Sequence, residues 1–540
     1  MAVNGEAPVS GRDGGPPAQE PGGMPAAPAL GLRHGLASDL PELQAAARPK
    51  PAPAPRLLAW NTGLARALGL DPALDGDPVL LAQVFSGTAL PADARPVALA
   101  YAGHQFGHFV PQLGDGRALL LGEREGPDGR RHDLQLKGSG ATVFSRGGDG
   151  RAALGPVLRE YLVSEAMAAL GVPTTRALAA VATGEQVWRE RPLPGAVLTR
   201  VAASHIRIGS FEYLAARGQV DALARLVDHA LARHYPEPGG DRPPALRLLD
   251  AVAGAQAALV AHWLALGFVH GVMNTDNVAI SGETLDYGPC AFMDAYHPDT
   301  VFSSIDRHGR YAWGRQPAIA HWNLGCLAMA LRPLLELEED RNLDDAQAVL
   351  DGFPTRLEAL WQARLLGKLG LAYAASADPQ AAGEGAGTPH DARLAATESD
   401  WLLATDLLSL MQAAGADWTA TFRRLGQSLL EAPDWPGLRA LFDGHGDGLA
   451  AWLSRWHARL ALDGIGPDRR AATMHAVNPA RIPRNHLVEA ALAAGLEGDL
   501  APFRRMQAAL ARPYDDDPDF ADLAAVPPSP GQPYRTFCGT

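Results

Sequence analysis

The sequence predicts an α+β fold of two unequal parts, a small β-rich lobe followed by a large helical lobe and a further helical C-terminal extension. Three observations predict it. Alternating apolar residues and Gly-rich turns crowd residues 110–202. Helical periodicity fills most of the chain after Ser210. A single strand-like break, DNVAISGETLDYGPCAFM, interrupts the helices at 276–293.

The elements follow in order. Residues 1–30 are Gly/Pro/Ala-rich and read as a disordered leader, because they carry too little apolar surface to offset their ordering entropy. Residues 31–100 read as an extension packing on the core. The small lobe spans 101–205. In it, 110–137 reads as three strands joined by turns at Gly114-Asp115-Gly116-Arg117 and Gly126-Pro127-Asp128-Gly129. In HDLQLK, Leu134 and Leu136 face one way and Asp133, Gln135 and Lys137 the other. A helix at 151–170 buries Leu154, Leu158, Tyr161, Leu162 and Met167. Strands LAAVAT, QVWRE and GAVLTRVA follow. The large lobe, 206–350, contains helices at 211–235, 246–267 and 317–337. The extension, 351–512, adds helices at 355–374 and 399–414 and a flexible loop at 375–395. The tail, 513–540, contains Cys538 and an Asp515-Asp516-Asp517 run read as solvated charge.

Composition excludes several classes. Lys plus Arg is 47 against 60 Asp plus Glu in 540 residues, a net charge of −13, which argues against nucleic acid held by bulk charge. Three cysteines make no disulfide framework and no zinc spacing, so a reducing, cytoplasmic setting is expected. No run of about 18 uninterrupted apolar residues and no secretory pattern is present, so no membrane span or signal is expected. His104 and His108 have i,i+4 spacing, but Gly107 between them argues against a metal-binding helix.

Four motifs carry chemistry. The glycines of Gly114-Asp115-Gly116-Arg117 let backbone N–H groups approach a phosphate, and Arg117 adds charge. Lys137 ends the third strand, one helix ahead of two candidate carboxylates, Glu160 and Glu165, which is the protein-kinase order of phosphate-binding Lys and positioning Glu. His270-Gly271-Val272-Met273-Asn274-Thr275-Asp276-Asn277 keeps the kinase spacing of His and Asn, but Val272 stands where the catalytic Asp belongs. Asp276 could supply the missing carboxylate. Asp286-Tyr287-Gly288 takes the place of Asp-Phe-Gly. Asn277 and Asp286 thus offer hard oxygen ligands for Mg²⁺ or Mn²⁺. Together these predict a protein-kinase-like bilobal fold around a nucleotide site.

The strings YAGHQFGHFVPQLGDGRALLLGE, LQLKGSGATVFSRGGDGRAALGPVLREYLVSEAM, VLTRVAASHIRIGSFEY, GFVHGVMNTDNVAISGETLDYGPCAFMD and NPARIPRNHLVEAAL resemble the selenoprotein O family, also called the YdiU family, of kinase-fold protein adenylyltransferases. The resemblance spans roughly 50 to 540. It implies transfer of AMP from ATP, or UMP from UTP, to Ser, Thr or Tyr hydroxyls of proteins, by a monomer using Mg²⁺ or Mn²⁺. The implied nucleotide contacts are Gly114, Gly116, Arg117, Lys137, Asp149, Gly150, Arg200, Arg207 and Asp286. Asp276 is the implied proton acceptor, Asn277 and Asp286 the implied metal ligands, and Glu160 the implied partner of Lys137. Family members with selenocysteine near the C-terminus suggest that Cys538 could pair with Cys290 or Cys326. The competing readings are a γ-phosphoryl transferase and a non-catalytic nucleotide-binding scaffold, which Val272 favours and the intact metal ligands oppose.

Overall fold

The computed structural model describes residues 27–236, 241–336, 341–371, 398–430, 435–527 and 534–536. Most of the expected leader, the 375–395 loop and Cys538 lie outside them. The last residues of the expected leader are ordered: Ala27 and Leu30 are buried, because they fill an apolar cluster with Leu64, Leu81 and Phe85.

The N-terminal part is built on an antiparallel sheet. Its strands run in the order Gln44–Ala46, Val97–Leu99, Ala118–Glu125, Arg131–Lys137, Pro192–Ala202, Arg176–Trp188 and Arg56–Trp60. Leu32–Arg33 adds beside Ala118–Glu125, and Ala152–Ala153 beside Pro192–Ala202. The alternation in Arg131–Lys137 sets its two faces. Leu134 and Leu136 are fully buried in the apolar cluster, while Asp133, Gln135 and Lys137 all enter polar networks on the other face.

Two strand expectations need correction. The first strand expected within 110–137 is not in the sheet: His108–Val110 pairs with Gly103–Gln105 as a separate hairpin. Nor is Gly114–Arg117 a hairpin turn. Asp115 is buried, donates its amide to Leu99 O and accepts from Gln135 Nε2 at 3.0 Å, so the chain is pulled inward instead of reversing. The strands expected at LAAVAT and QVWRE are one strand, Arg176–Trp188, whose register shifts between Ala182 and Gln186 around Gly184, at φ +79°.

Helix Leu154–Ala169 packs on this sheet. Leu158, Tyr161 and Leu162 are at most 1% exposed, and each such burial contributes roughly 1.5–3 kcal/mol. Its outer side is covered by helices Asn485–Leu496 and Ala501–Leu510, through Val488, Leu492 and Phe503. After residue 207 the chain is mainly helical. The single helix expected at 211–235 is two, Ile208–Ala215 and Val220–His234, separated at Gly218, where φ is +65°. Helix Pro244–Leu266 is long and apolar enough to cross a membrane by length and composition. Fifteen of its side chains are buried, and it packs against helices Gln316–Glu336 and Arg341–Lys368. It stops at Gly267 in the left-handed region, where a Cβ would meet the Trp418 indole at 2.8 Å. The strand-like break that follows is mostly irregular. Val278 bridges Thr284 across the Ser281-Gly282 turn, and Ala291–Phe292 pairs with Phe268–Val269.

Candidate functional site

A cavity of about 920 Å³ opens where the sheet meets the helical part. It is walled by the Gly114–Ala118 segment, the 144–152 loop, helix Leu154–Ala169, the 272–277 loop, Asp286–Pro289 and, from the far end of the chain, Glu489, Leu492 and Tyr534. That size suits a nucleotide.

One charged network forms its floor. Lys137 Nζ donates to Glu160 Oε2 at 2.6 Å and to Asp286 Oδ1 at 2.8 Å. Arg200 Nε donates to Glu160 Oε1 at 2.9 Å, and its guanidinium also lies 3.5 Å from Asp286 Oδ1. Strand pairing causes this convergence: Lys137 faces Leu198 and Arg200 faces Gln135 across the same pair of strands. Burial pushes both carboxyls up, but Arg200 and Lys137 outweigh it for Glu160. Lys137, Arg200 and Arg117 outweigh it for Asp286, which stays ionised far below its ordinary range. Lys137, Arg200 and the Tyr287 amide all meet Asp286 Oδ1, which leaves Oδ2 for a cation. Glu165, the other candidate for Lys137, instead binds Arg176 and Asn61.

The glycines approach the backbone closely. Gly114 sits at φ +81°, and a Cβ there would lie 2.4 Å from the Phe144 ring. A Cβ at Gly116 would come within 2.9 Å of Phe144 O, and one at Gly150 within 2.2 Å of Gly140. The loop is further pinned by Thr142 Oγ1, which donates to Asp115 O at 2.7 Å, and by Ser145 Oγ on Gly116 O. Asp149 reaches the cavity wall already engaged, accepting from the Arg151 amide at 2.9 Å and from Arg189.

The 270–277 loop places the remaining groups. His270 is buried and stacked on Trp263; burial lowers its pKa to about 4, so it is neutral. Val272 lines the cavity with no polar atom to offer. Asn277 Nδ2 donates to Val272 O at 3.2 Å, which leaves its amide oxygen for a ligand role. Asp276 is 8% exposed, and its Oδ1 has no hydrogen-bond partner among the described residues. Burial raises its pKa to about 6, against the lowering pull of Arg207. Arg207 is committed to structure as well as charge: it donates to Asp276 O at 2.9 Å and lies 4.1 Å over the Tyr101 ring.

Sequence reasoning missed three contributors. Gly103 lets the Asp276 loop approach, since a Cβ there would sit 2.7 Å from Asp276 Oδ1. Thr275 donates to Glu212 Oε2 at 2.6 Å and accepts from the His104 amide at 2.7 Å. The tail docks at the cavity: Thr536 Oγ1 donates to Pro289 O at 2.7 Å, and Arg159 donates to the Tyr534 hydroxyl at 3.3 Å. No sequence signal marked the approach of Gly103, and nothing in the tail's composition marked its docking. Of the cysteines, Cys290 is fully buried, its thiol pushed up to about 11 mainly by burial, and Cys326 is half-buried.

A pocket with clustered cations, oxygen ligands and a buried carboxylate that keeps one oxygen without a partner among the described residues is of the class that handles polyphosphates. The pattern of the family described as "Protein adenylyltransferase SelO" matches residues 32–511, and the chain belongs to that family of nucleotidyltransferases. It is similar to the proteins named "Protein nucleotidyltransferase YdiU" of a Bradyrhizobium species, at 54% identity over 91% of this chain and 95% of that one. The proteins of the same name from Methylorubrum populi and Cereibacter sphaeroides are 55% and 54% identical, over 90% and 91% of this chain and 94% and 95% of theirs.

Proposed function

We propose that this chain transfers AMP from ATP, or UMP from UTP, to Ser, Thr or Tyr hydroxyls of proteins, on a kinase-like bilobal scaffold. The observation that carries the reading is the Lys137–Glu160–Arg200–Asp286 network beside an Asp276 with an unpartnered oxygen. The incoming hydroxyl oxygen attacks the α-phosphorus, the bond to the bridging oxygen breaks, and diphosphate leaves. Asp276 Oδ1 takes the hydroxyl proton. Lys137 and Arg117 steady the charge that develops on the departing phosphates. Arg200 fixes Glu160 and adds charge from beneath, and Arg207 holds the backbone that carries Asp276. The Gly114–Gly116 and Gly150 backbones admit the phosphates closely. Asp149, tied to Arg189 and Arg151, borders that path.

Asn277 and Asp286 would hold the divalent metal. Their donors fit Mg²⁺ or Mn²⁺, because both offer oxygen and Asp286 is kept ionised. When bound, the metal would neutralise charge on the phosphates. The reading includes a cytoplasmic monomer acting on protein substrates, with no nucleic-acid or membrane partner. Intact-mass measurement of the chain and candidate proteins, after incubation with ATP or UTP and Mg²⁺ or Mn²⁺, tests it. A nucleoside-monophosphate increment supports it. A phosphoryl increment would favour the kinase reading, and no increment in any combination would favour the scaffold.

A further inference from the structure

Behind the loop that carries Asp276 lies a second cavity, of about 1120 Å³, lined in part by His104, Glu212, His321, Trp322 and Cys326. None of these five borders the nucleotide cavity. One ligand atom each from His104, Glu212 and Cys326 lies within 4.8 Å of the other two. The three come from different elements: the Gly103–Gln105 strand, helix Ile208–Ala215 and helix Gln316–Glu336. His104 Nδ1 and Glu212 Oε1 are 2.5 Å apart. His104 is further fixed by an edge-on contact with Trp322, at 5.2 Å between centroids.

We propose that His104, Glu212 and Cys326 form a Zn²⁺ site separate from the nucleotide-bound metal. An imidazole nitrogen, a carboxylate oxygen and a thiolate make a donor set that Zn²⁺ accepts in tetrahedral geometry, with water from the cavity as the fourth ligand. The thiolate discriminates against Mg²⁺ and Mn²⁺, which prefer oxygen. The carboxylate is already oriented, because Glu212 Oε2 accepts from Thr275 Oγ1 at 2.6 Å, leaving Oε1 to face His104. Glu212 is 5% exposed and Cys326 half-buried, so a bound ion would be shielded from bulk water on the protein side. Binding is balanced by release of the Cys326 thiol proton to solvent, together with any proton shared by His104 and Glu212, as Zn–S, Zn–N and Zn–O contacts form. Arg310, placed 4.8 Å over the Trp322 ring, is a cation on the same side and would set the affinity lower than in a site without it. Through Thr275 the ion would stiffen the loop one residue before Asp276, whichever nucleotide is used.

The test uses the full chain, stripped with a chelator, reloaded with Zn²⁺ and desalted, with metal counted by mass spectrometry. One retained equivalent is expected. It should be lost in Cys326→Ala and kept in the double variant Asn277→Ala, Asp286→Ala. Co²⁺ should replace it with a thiolate-to-cobalt charge-transfer band in the wild-type chain that Cys326→Ala removes. The band in the wild-type chain reports thiolate ligation even where Cys326→Ala fails to fold. No retained zinc, retention unchanged in Cys326→Ala, or a Co²⁺ complex without the thiolate band would overturn the proposal.

Discussion

Two buried charge networks hang from opposite ends of one strand, Arg131–Lys137, and they differ in what they leave unspent. At one end, Asp133 is fully buried. Its Oδ1 accepts from Arg233 at 2.6 Å and its Oδ2 from the His205 amide at 2.8 Å and ring at 3.0 Å. Arg233 also meets Glu123 at 3.0 Å. At the other end, Lys137 and Arg200 crowd a single oxygen of Asp286, whose side chain is 29% exposed toward the cavity. Both aspartates are held well below their ordinary pKa against burial, Asp133 by Arg233 and His205, Asp286 by Lys137 and Arg200. A charge with both oxygens satisfied inside the protein is architecture. A charge with an oxygen left over beside a cavity is a ligand site in waiting.

The largest expected effect separates these two ends. Asp286→Asn should cut nucleotidyl transfer by at least about 100-fold with a smaller loss of stability than Asp133→Asn, because Lys137 and Arg200 both keep Glu160 as a partner. Asp133→Asn should spare transfer but cost about 3–5 kcal/mol of stability, by taking from buried Arg233 its closer carboxylate and leaving it Glu123 alone. Parallel activity and melting measurements check the pair, and equal loss of stability in both would erase the distinction.

Next in size is Gly103→Ala. Its Cβ would press on Asp276 Oδ1, and a displaced acceptor should lower kcat by roughly 10–100-fold with a smaller change in KM for the nucleotide. Steady-state kinetics read this directly. A smaller effect is the pH profile. Asp276 must be ionised to accept a proton, so the rate should climb as pH rises and flatten above about 6, with a bound cation moving the limb only downward. A limb centred well above 7 would remove Asp276 from that role. Acid unfolding gives the linked sign for Asp286: its depressed pKa contributes stability present above the unfolded carboxylate value of about 3.9, lost as pH falls below that. The smallest effect is Glu165→Gln, which weakens the partly exposed pair with Arg176 and should cost about 1 kcal/mol without changing transfer rates.

Much of this was legible in the sequence. The alternation of Leu134 and Leu136 with Asp133, Gln135 and Lys137 defined both faces of the key strand, because a half-buried strand must segregate side chains at period two. Helical spacing located Leu158, Tyr161 and Leu162 beneath the sheet. Local pattern could not tell that Gly114–Arg117 is drawn inward, since that depends on Asp115 finding Gln135 twenty residues away. The same limit hid the approach of Gly103 to Asp276, the clustering of His104 with Glu212 and Cys326, and the docking of Tyr534 and Thr536, all contacts between distant segments.

The central claim is that the spared groups at the Lys137 end serve attack at the α-phosphorus. ATP labelled separately at the α- and γ-phosphates, incubated with the chain, a divalent metal and protein substrates, tests it most directly. The account predicts α-label on protein, absent in Asp286→Asn, with γ-label recovered only in released diphosphate. Covalent γ-label on protein would contradict it.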